Sequence, residues 1–178
     1  LEIFEGIEDG DAPKSLQLRM ITRSLRAAAS DSRISGLLLT GRMSSEGYGS
    51  SLAALKEVRG ALQVFRASGK PIVAYLTMAG ARDIYLASLA QEIVLDPYGQ
   101  IAMPGLASEP MFFAEALDKI GVGVQVARVG KYKSAIEPFT RTDLSDESRE
   151  QLQKLLNDLW ISVRDDIAEA RNIKPDQL

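Results

Sequence analysis

The sequence has 178 residues and a formal net charge of −3, with 46% apolar and 25% charged residues, which is ordinary for a globular domain with a core. Its basic residues are interspersed with acidic ones, so the basic surface that a nucleic-acid partner requires is not indicated. The absence of histidine and cysteine excludes a disulfide framework and argues against a zinc site, and it leaves lysine, carboxylate, tyrosine or a terminal amine for acid–base chemistry.

Short apolar runs alternate with patterns of helical period along the whole chain. From Leu52 to Phe65, apolar residues recur at steps of three and four, which places them on one helix face. Ser50 or Ser51 before this stretch and Gly69 after it are typical of a helix start and end. We predict helices over 15–30, 51–68, 82–90, 111–120 and from Ser145 onward, and strands over 1–4, 34–40, 71–77, 93–95 and 122–129, with a turn over 96–99.

This alternation predicts an α/β layered fold with a mainly parallel sheet flanked by helices. No internal repeat or linker interrupts residues 1–178, so one domain is the simplest account. The chain opens on Leu1 rather than methionine, and Pro175 is typical of the first residue of a further helix. We therefore expect a fragment of a longer protein. The longest apolar runs have strand length, well short of the roughly 20 residues that span a bilayer.

Three features each have a structural and a functional interpretation. Small residues between Met78 and Arg82 join a strand to a helix, where backbone N–H groups can face a ligand, but tight packing also needs small residues. The apolar residues 111–113 suit either a pocket or a core and interface position. Glu137 and Arg141 could form an ion pair, although a solvated polar rim is the favoured interpretation.

The stretch around Lys133 is the main candidate for chemistry. Two lysines flank a tyrosine after a predicted strand, in the order Gly130-Lys131-Tyr132-Lys133-Ser134-Ala135. A lysine is a poor base while it is protonated, and it becomes a competent base where burial disfavours the ammonium form. On composition alone, two exposed loop lysines are the commoner arrangement.

This segment closely resembles the signal peptide peptidases of the protease IV family. These are serine/lysine peptidases whose general-base lysine follows the tyrosine of a Gly-x-Tyr-Lys-Ser-Ala sequence. The resemblance assigns that role to Lys133 rather than Lys131, and it implies that Gly130 lies near the site and that Tyr132 or Ser134 orients the amine. It covers most of the chain, and further similar segments lie at residues 70–75, 85–88, 137–139 and 141–145.

One position departs from the family pattern. The nucleophilic serine of the family opens the helix after the elbow, in an Ala-Ser-Gly-Gly-Tyr segment. Here the corresponding residues are Ala81-Arg82-Asp83-Ile84-Tyr85, and a guanidinium group cannot replace a serine nucleophile. Long members of the family take lysine from a first domain and serine from a second. The resemblance therefore implies that residues 1–178 are the N-terminal, lysine-bearing domain of such a two-domain form, with a structural elbow.

The resemblance also implies a crotonase or Clp-protease type of α/β fold. It implies homo-oligomers that are associated with a membrane through an N-terminal segment absent from this sequence. Cleaved signal peptides and other apolar unfolded segments are the implied substrates, and no cofactor or metal ion is implied. The isolated chain is expected to be inactive, because the serine would come from the second domain. Which residues bind substrate is not indicated.

Two other functions stay open on the residues alone. The chain could be a non-catalytic interaction domain, in which residues 111–113 contribute an apolar oligomer contact and Lys133 is incidental. A crotonase-like acyl-CoA enzyme is less favoured, because no paired glutamate base is evident. Peptidase activity that appears on adding a serine domain would separate a peptidase from an interaction domain.

Overall fold

The computed structural model describes residues 17–41, 51–126 and 134–178. These residues form two compact units. One runs to Met103 and includes Ala170–Asn172, and the other comprises Pro104–Glu169 and Ile173–Leu178. A single domain over residues 1–178 stays a prediction.

Helices and strands alternate up to residue 119, as predicted, and only helical elements follow in the described residues. The elements are α1 (Leu18–Ser30), β1 (Leu37–Thr40), α2 (Leu52–Ala67), β2 (Ile72–Gly80), α3 (Ala81–Ala87), β3 (Glu92–Ala102), α4 (Ala114–Lys119), α5 (Glu137–Thr140), α6 (Asp146–Arg171) and a 3₁₀ turn (Pro175–Gln177). The three strands form one parallel sheet in the order β1-β2-β3. This confirms the predicted α/β fold with a parallel sheet flanked by helices. The predicted strand over residues 1–4 lies outside the described residues.

The core of the first unit forms where one face of the sheet meets helices. Ile72, Ala74 and Leu76 of β2 are buried because alternate side chains of a strand point to the same face. Phe65 from α2 and Ala87 from α3 pack in the same buried cluster. The central strand is therefore the element around which the first unit is built.

Helix ends follow the residues that the sequence indicated. The hydroxyl of Ser51 accepts a hydrogen bond from the backbone N–H of Ala54 at 3.3 Å, which caps α2. Gly69 has a φ of +80° directly after that helix, and Gly121 has a φ of +72° after α4. This left-handed conformation favours glycine and ends a helix.

Strand β3 is longer than predicted, because pairing resumes beyond the turn at residues 96–99. Along β2, the step from Leu76 to Met78 covers two positions, whereas the paired step along β3, from Leu95 to Gln100, covers five. The extra residues form a bulge rather than the end of the strand. The predicted end at residue 95 is therefore wrong.

Local turn chemistry builds this bulge. The Asp96 carboxylate accepts a hydrogen bond from the backbone N–H of Tyr98 at 2.8 Å. A Cβ on Gly99 would lie 2.8 Å from the backbone oxygen of Thr77 and 2.9 Å from that of Asp96, so only glycine fits without a backbone shift. The sequence correctly indicates the turn, but the neighbouring strand β2 determines that pairing continues after it.

The strand predicted over residues 122–129 is wrong for residues 122–126, which form no strand. Val122, Val124 and Val126 alternate with other residues, and all three side chains are exposed. Alternating β-branched residues favour a strand only where a neighbouring strand supplies the hydrogen-bonding partner. Residues 127–129 lie outside the described part of the chain.

Candidate active site

The strand–helix elbow is present where the sequence predicts it. Strand β2 ends at Gly80 and α3 begins at Ala81. The Asp83 carboxylate accepts a hydrogen bond from the backbone N–H of Gly80 at 2.9 Å, which satisfies a donor at the helix start. Arg82, which the resemblance aligns with the nucleophilic serine, is exposed. The second residue of the elbow helix is therefore an exposed arginine.

A buried arginine connects α2 to the elbow helix α3. Arg59 is 4% exposed, and its Nη1 donates hydrogen bonds to the backbone oxygen of Tyr85 and, at 2.8 Å, to the hydroxyl of Ser88. Its guanidinium carbon lies 4.6 Å from the centre of the Tyr85 ring, a cation–π geometry. These contacts fix α3 and hence the elbow at its N-terminal end.

The lysine segment is only partly described. Gly130, Tyr132 and Lys133 lie outside the described residues, so their predicted roles stay predictions. Ser134 is half-buried, and its backbone oxygen accepts a hydrogen bond from the N–H of Glu137 at 2.9 Å. The helical turn α5 begins at Glu137, so a tight turn follows Lys133 directly.

Glu137 is buried, with 2% of its surface exposed, which contradicts the solvated rim favoured from the sequence. Its Oε1 accepts a hydrogen bond from the Ser145 hydroxyl at 2.6 Å, and its Oε2 accepts one from the Ser145 backbone N–H at 3.1 Å. Arg141 instead pairs with the Asp143 carboxylate at 3.0 Å. The carboxylate is buried because Ser145 supplies the hydrogen bonds that water would otherwise provide.

The environment of Glu137 favours its ionised form. Burial acts to raise the pKa of this carboxyl, but the hydrogen bonds from Ser145 and Ser148 and the nearby Arg141 guanidinium outweigh burial and hold the pKa below its ordinary value. The contacts from Ser145 are therefore charge-assisted at neutral pH, which makes them stronger than neutral hydrogen bonds.

Ser145 also begins the long helix α6, as predicted. Its hydroxyl oxygen accepts a hydrogen bond from the Ser148 backbone N–H at 3.2 Å, and the two serine hydroxyls lie 2.9 Å apart. Asp146 and Glu147 lie in the first helical turn, where negative charge suits the helix dipole. One serine thus connects the buried carboxylate to the start of a 26-residue helix.

An aromatic pair lies beside the same turn. The rings of Phe113 and Phe139 stack with centroids 6.0 Å apart, and the Phe113 backbone N–H donates to the Pro138 oxygen at 2.6 Å. Met111 is 72% exposed and the two phenylalanines are 41% and 44% exposed. This exposure contradicts a core position for residues 111 and 113 and leaves a contact surface or a pocket wall.

Within the described part of the chain, the structure brings Ser134, Glu137, Ser145 and Ser148 together. The sequence predicts Ser134 near the site and Ser145 as a helix cap, but it does not predict Glu137 as their link. Glutamate is seldom fully buried, so its type argues for the surface. The available signal was a serine helix cap eight positions after Glu137.

Two further properties concern the same described residues. In residues 17–41, 51–126 and 134–178, no three side chains of the metal-binding types cluster to hold an ion. None of the helices in these ranges is both long and apolar enough to cross a membrane.

Comparison with known proteins agrees with the family resemblance. The chain is 36% identical over 166 residues to Protease 4 of Haemophilus influenzae, covering 93% of this chain and 26% of that protein. It is 35% identical over 158 residues to Protease 4 of Salmonella typhi, covering 89% of this chain and 25% of the relative. It is 31% identical over 159 residues to the chloroplastic serine protease SPPA of Arabidopsis thaliana, covering 89% of this chain and 23% of that protein.

The chain spans about a quarter of the length of these relatives. Residues 64–178, well over half of the chain, match the model of Peptidase family S49. The matched range includes the elbow, the lysine segment and the turn that carries Glu137. On this match and these identities, the chain belongs to Peptidase family S49.

Proposed function

We propose that this chain is the lysine-bearing domain of a serine endopeptidase, and that the nucleophilic serine belongs to a second domain of the same protein. The observation that carries the proposal is the segment Gly130–Ala135, in which Lys133 matches the general base of the resembling peptidases. Arg82 stands at the position that the resemblance gives to the serine, so this domain needs a hydroxyl from elsewhere. This supports a dyad whose lysine and serine come from different domains.

The chemistry requires an uncharged amine. Neutral Lys133 Nζ would take the proton from the serine hydroxyl as the oxygen attacks the peptide carbonyl, and the resulting ammonium would return it to the leaving amine. Water would then release the acyl group by the same route, again with Lys133 as base. Tyr132 or Ser134 would orient the amine by a hydrogen bond.

The substrates we propose are cleaved signal peptides and other apolar, unfolded segments. The protein would act as a homo-oligomer associated with a membrane through a segment N-terminal to this chain. The supporting observations are the names of its relatives as proteases and the exposed apolar side chains near α5, including Phe139. No nucleic-acid partner or cofactor is part of the proposal.

A second candidate is a non-catalytic interaction domain. The observation that favours it is the exposure of Met111 and Phe113 in the second unit, since exposed apolar patches commonly mark contact surfaces. In that case Lys133 would be incidental, and its replacement would leave peptidase activity unchanged.

The test combines this chain with the proposed serine-bearing domain. The two-domain protein is this chain joined to the serine-bearing domain as one polypeptide. We expect the isolated chain to leave a quenched fluorescent signal-peptide substrate intact and the two-domain protein to cleave it. Cleavage by the isolated chain at the rate of the two-domain protein would contradict the proposal, because no second domain would then be needed.

A further inference from the structure

We infer that Glu137 is a positioning residue for Lys133, because its buried carboxylate fixes the turn that follows the lysine to the first turn of α6. This inference rests on the proposed function and deepens it by naming what holds the base in place. No role for this carboxylate follows from the lysine segment itself, and the proposed proton transfer does not use it.

A short, hydrogen-bonded turn connects Glu137 to Ser134, the residue after Lys133. The Glu137 N–H donates to the Ser134 oxygen at 2.9 Å, and the Phe139 N–H donates to the Ile136 oxygen at 3.0 Å. Ser134 is covalently bonded to Lys133. A displacement of Glu137 therefore pulls on the carbonyl of Ser134, the residue next to Lys133.

Ser145 anchors the side chain of Glu137. Both carboxylate oxygens of Glu137 are engaged by the same residue, at 2.6 Å from the Ser145 hydroxyl and 3.1 Å from its N–H. Two contacts to one partner define an orientation as well as a distance. Ser145 is fixed in turn, because its hydroxyl caps α6 through the Ser148 N–H.

Burying a carboxylate carries a desolvation cost, and even buried ion pairs can often be replaced by apolar residues of similar volume with no loss of stability. Stability alone therefore does not explain a charged residue at position 137. Directional hydrogen bonds, in contrast, are useful where a catalytic group must be held precisely. A displacement of about 1 Å at a reacting group can reduce the rate by about 100-fold.

The experiment is Glu137→Gln in the two-domain protein, assayed on the fluorescent peptide with rates normalised to the folded fraction from circular dichroism. We expect kcat per folded molecule to fall about 10- to 100-fold while KM stays within about twofold. Labelling of the nucleophilic serine by a fluorophosphonate should slow in parallel, because that reaction also needs the base. A merely structural role would lower the folded fraction and leave both rates per folded molecule unchanged.

Ser145→Ala removes the hydroxyl from the other side of the contact, and it provides a second variant if Glu137→Gln does not fold. We expect it to lower kcat in the same sense, and the double variant to lose little more than either single one, since both break the same contact. Glu150→Gln, the same chemical change at an exposed position of α6, should keep wild-type kcat.

The outcomes separate the two proposals. If Lys133→Ala is inactive but Glu137→Gln and Ser145→Ala keep wild-type kcat per folded molecule, the positioning inference is wrong and the proposed function stands. If Lys133→Ala itself keeps wild-type activity, the proposed function fails, and the inference fails with it.

Discussion

Replacing Lys133 by methionine should reduce peptide hydrolysis by the two-domain protein by at least about 100-fold, the usual lower range for loss of a general base. Methionine keeps an unbranched side chain of similar length but has no group that takes a proton at neutral pH. The measurement is kcat/KM on the fluorescent signal-peptide substrate. We expect KM to change little, because the base acts in the chemical step rather than in binding.

Lys131→Met is the matched control. Lys131 precedes the same tyrosine and carries the same charge, so a general effect of removing a positive charge from this segment would appear in both variants. The proposed role predicts near wild-type activity for Lys131→Met alone. Equal losses in the two variants, or full activity in Lys133→Met, would contradict the assignment of the base to Lys133.

Replacing Arg59 by methionine should destabilise the protein by about 2–4 kcal/mol, because it removes the buried, charged donor that bonds two acceptors at α3. Those acceptors are the Tyr85 oxygen and the Ser88 hydroxyl, and the contact of the guanidinium with the Tyr85 ring is lost as well. Methionine fills much of the space of the arginine stem, so the loss reports polar contacts more than a cavity. Urea denaturation followed by circular dichroism measures the change.

Arg23→Met controls for the loss of an arginine from a helix. Arg23 is exposed on α1, and substitutions at such positions usually change stability by no more than about 0.5 kcal/mol. If Arg59→Met and Arg23→Met had equal free energies of unfolding, the contacts of Arg59 between α2 and α3 would make no net contribution to stability. Arg59 would then not be the residue that fixes α3.

Features determined by neighbouring residues in the chain could be predicted from the sequence. Ser51 and Ser145 cap helices as expected, and Gly69 ends one, because capping depends on side chains and backbone angles within a few residues. The apolar stretch of β2 needs only its own composition to indicate a buried parallel strand. The parallel sheet and the order of elements in the first unit follow from these local patterns.

Features determined by distant residues could not be predicted. Pairing with β2 carries β3 past Pro97, although Asp96 and Gly99 correctly indicated a turn there. Residues 122–126 have a strand-like pattern but form no strand. A strand exists through its partner, and the sequence of one segment does not show whether that partner is present.

The site was predicted in part, for a related reason. The resemblance identified Lys133 from a short motif, which is a local signal, but Lys133 lies outside the described residues. Glu137 was assigned to a polar rim because its residue type argues for exposure. Its burial depends on Ser145, eight residues later, which turns an expected surface charge into a buried contact.

The most direct test of the central claim is an experimental structure of the two-domain protein that locates the amine of Lys133. The claim predicts that its Nζ lies out of bulk water and about 2.6–3.2 Å from the hydroxyl oxygen of a serine in the second domain, the reach of a general base. A structure in which Nζ points into solvent, with no serine hydroxyl near it, would contradict the claim.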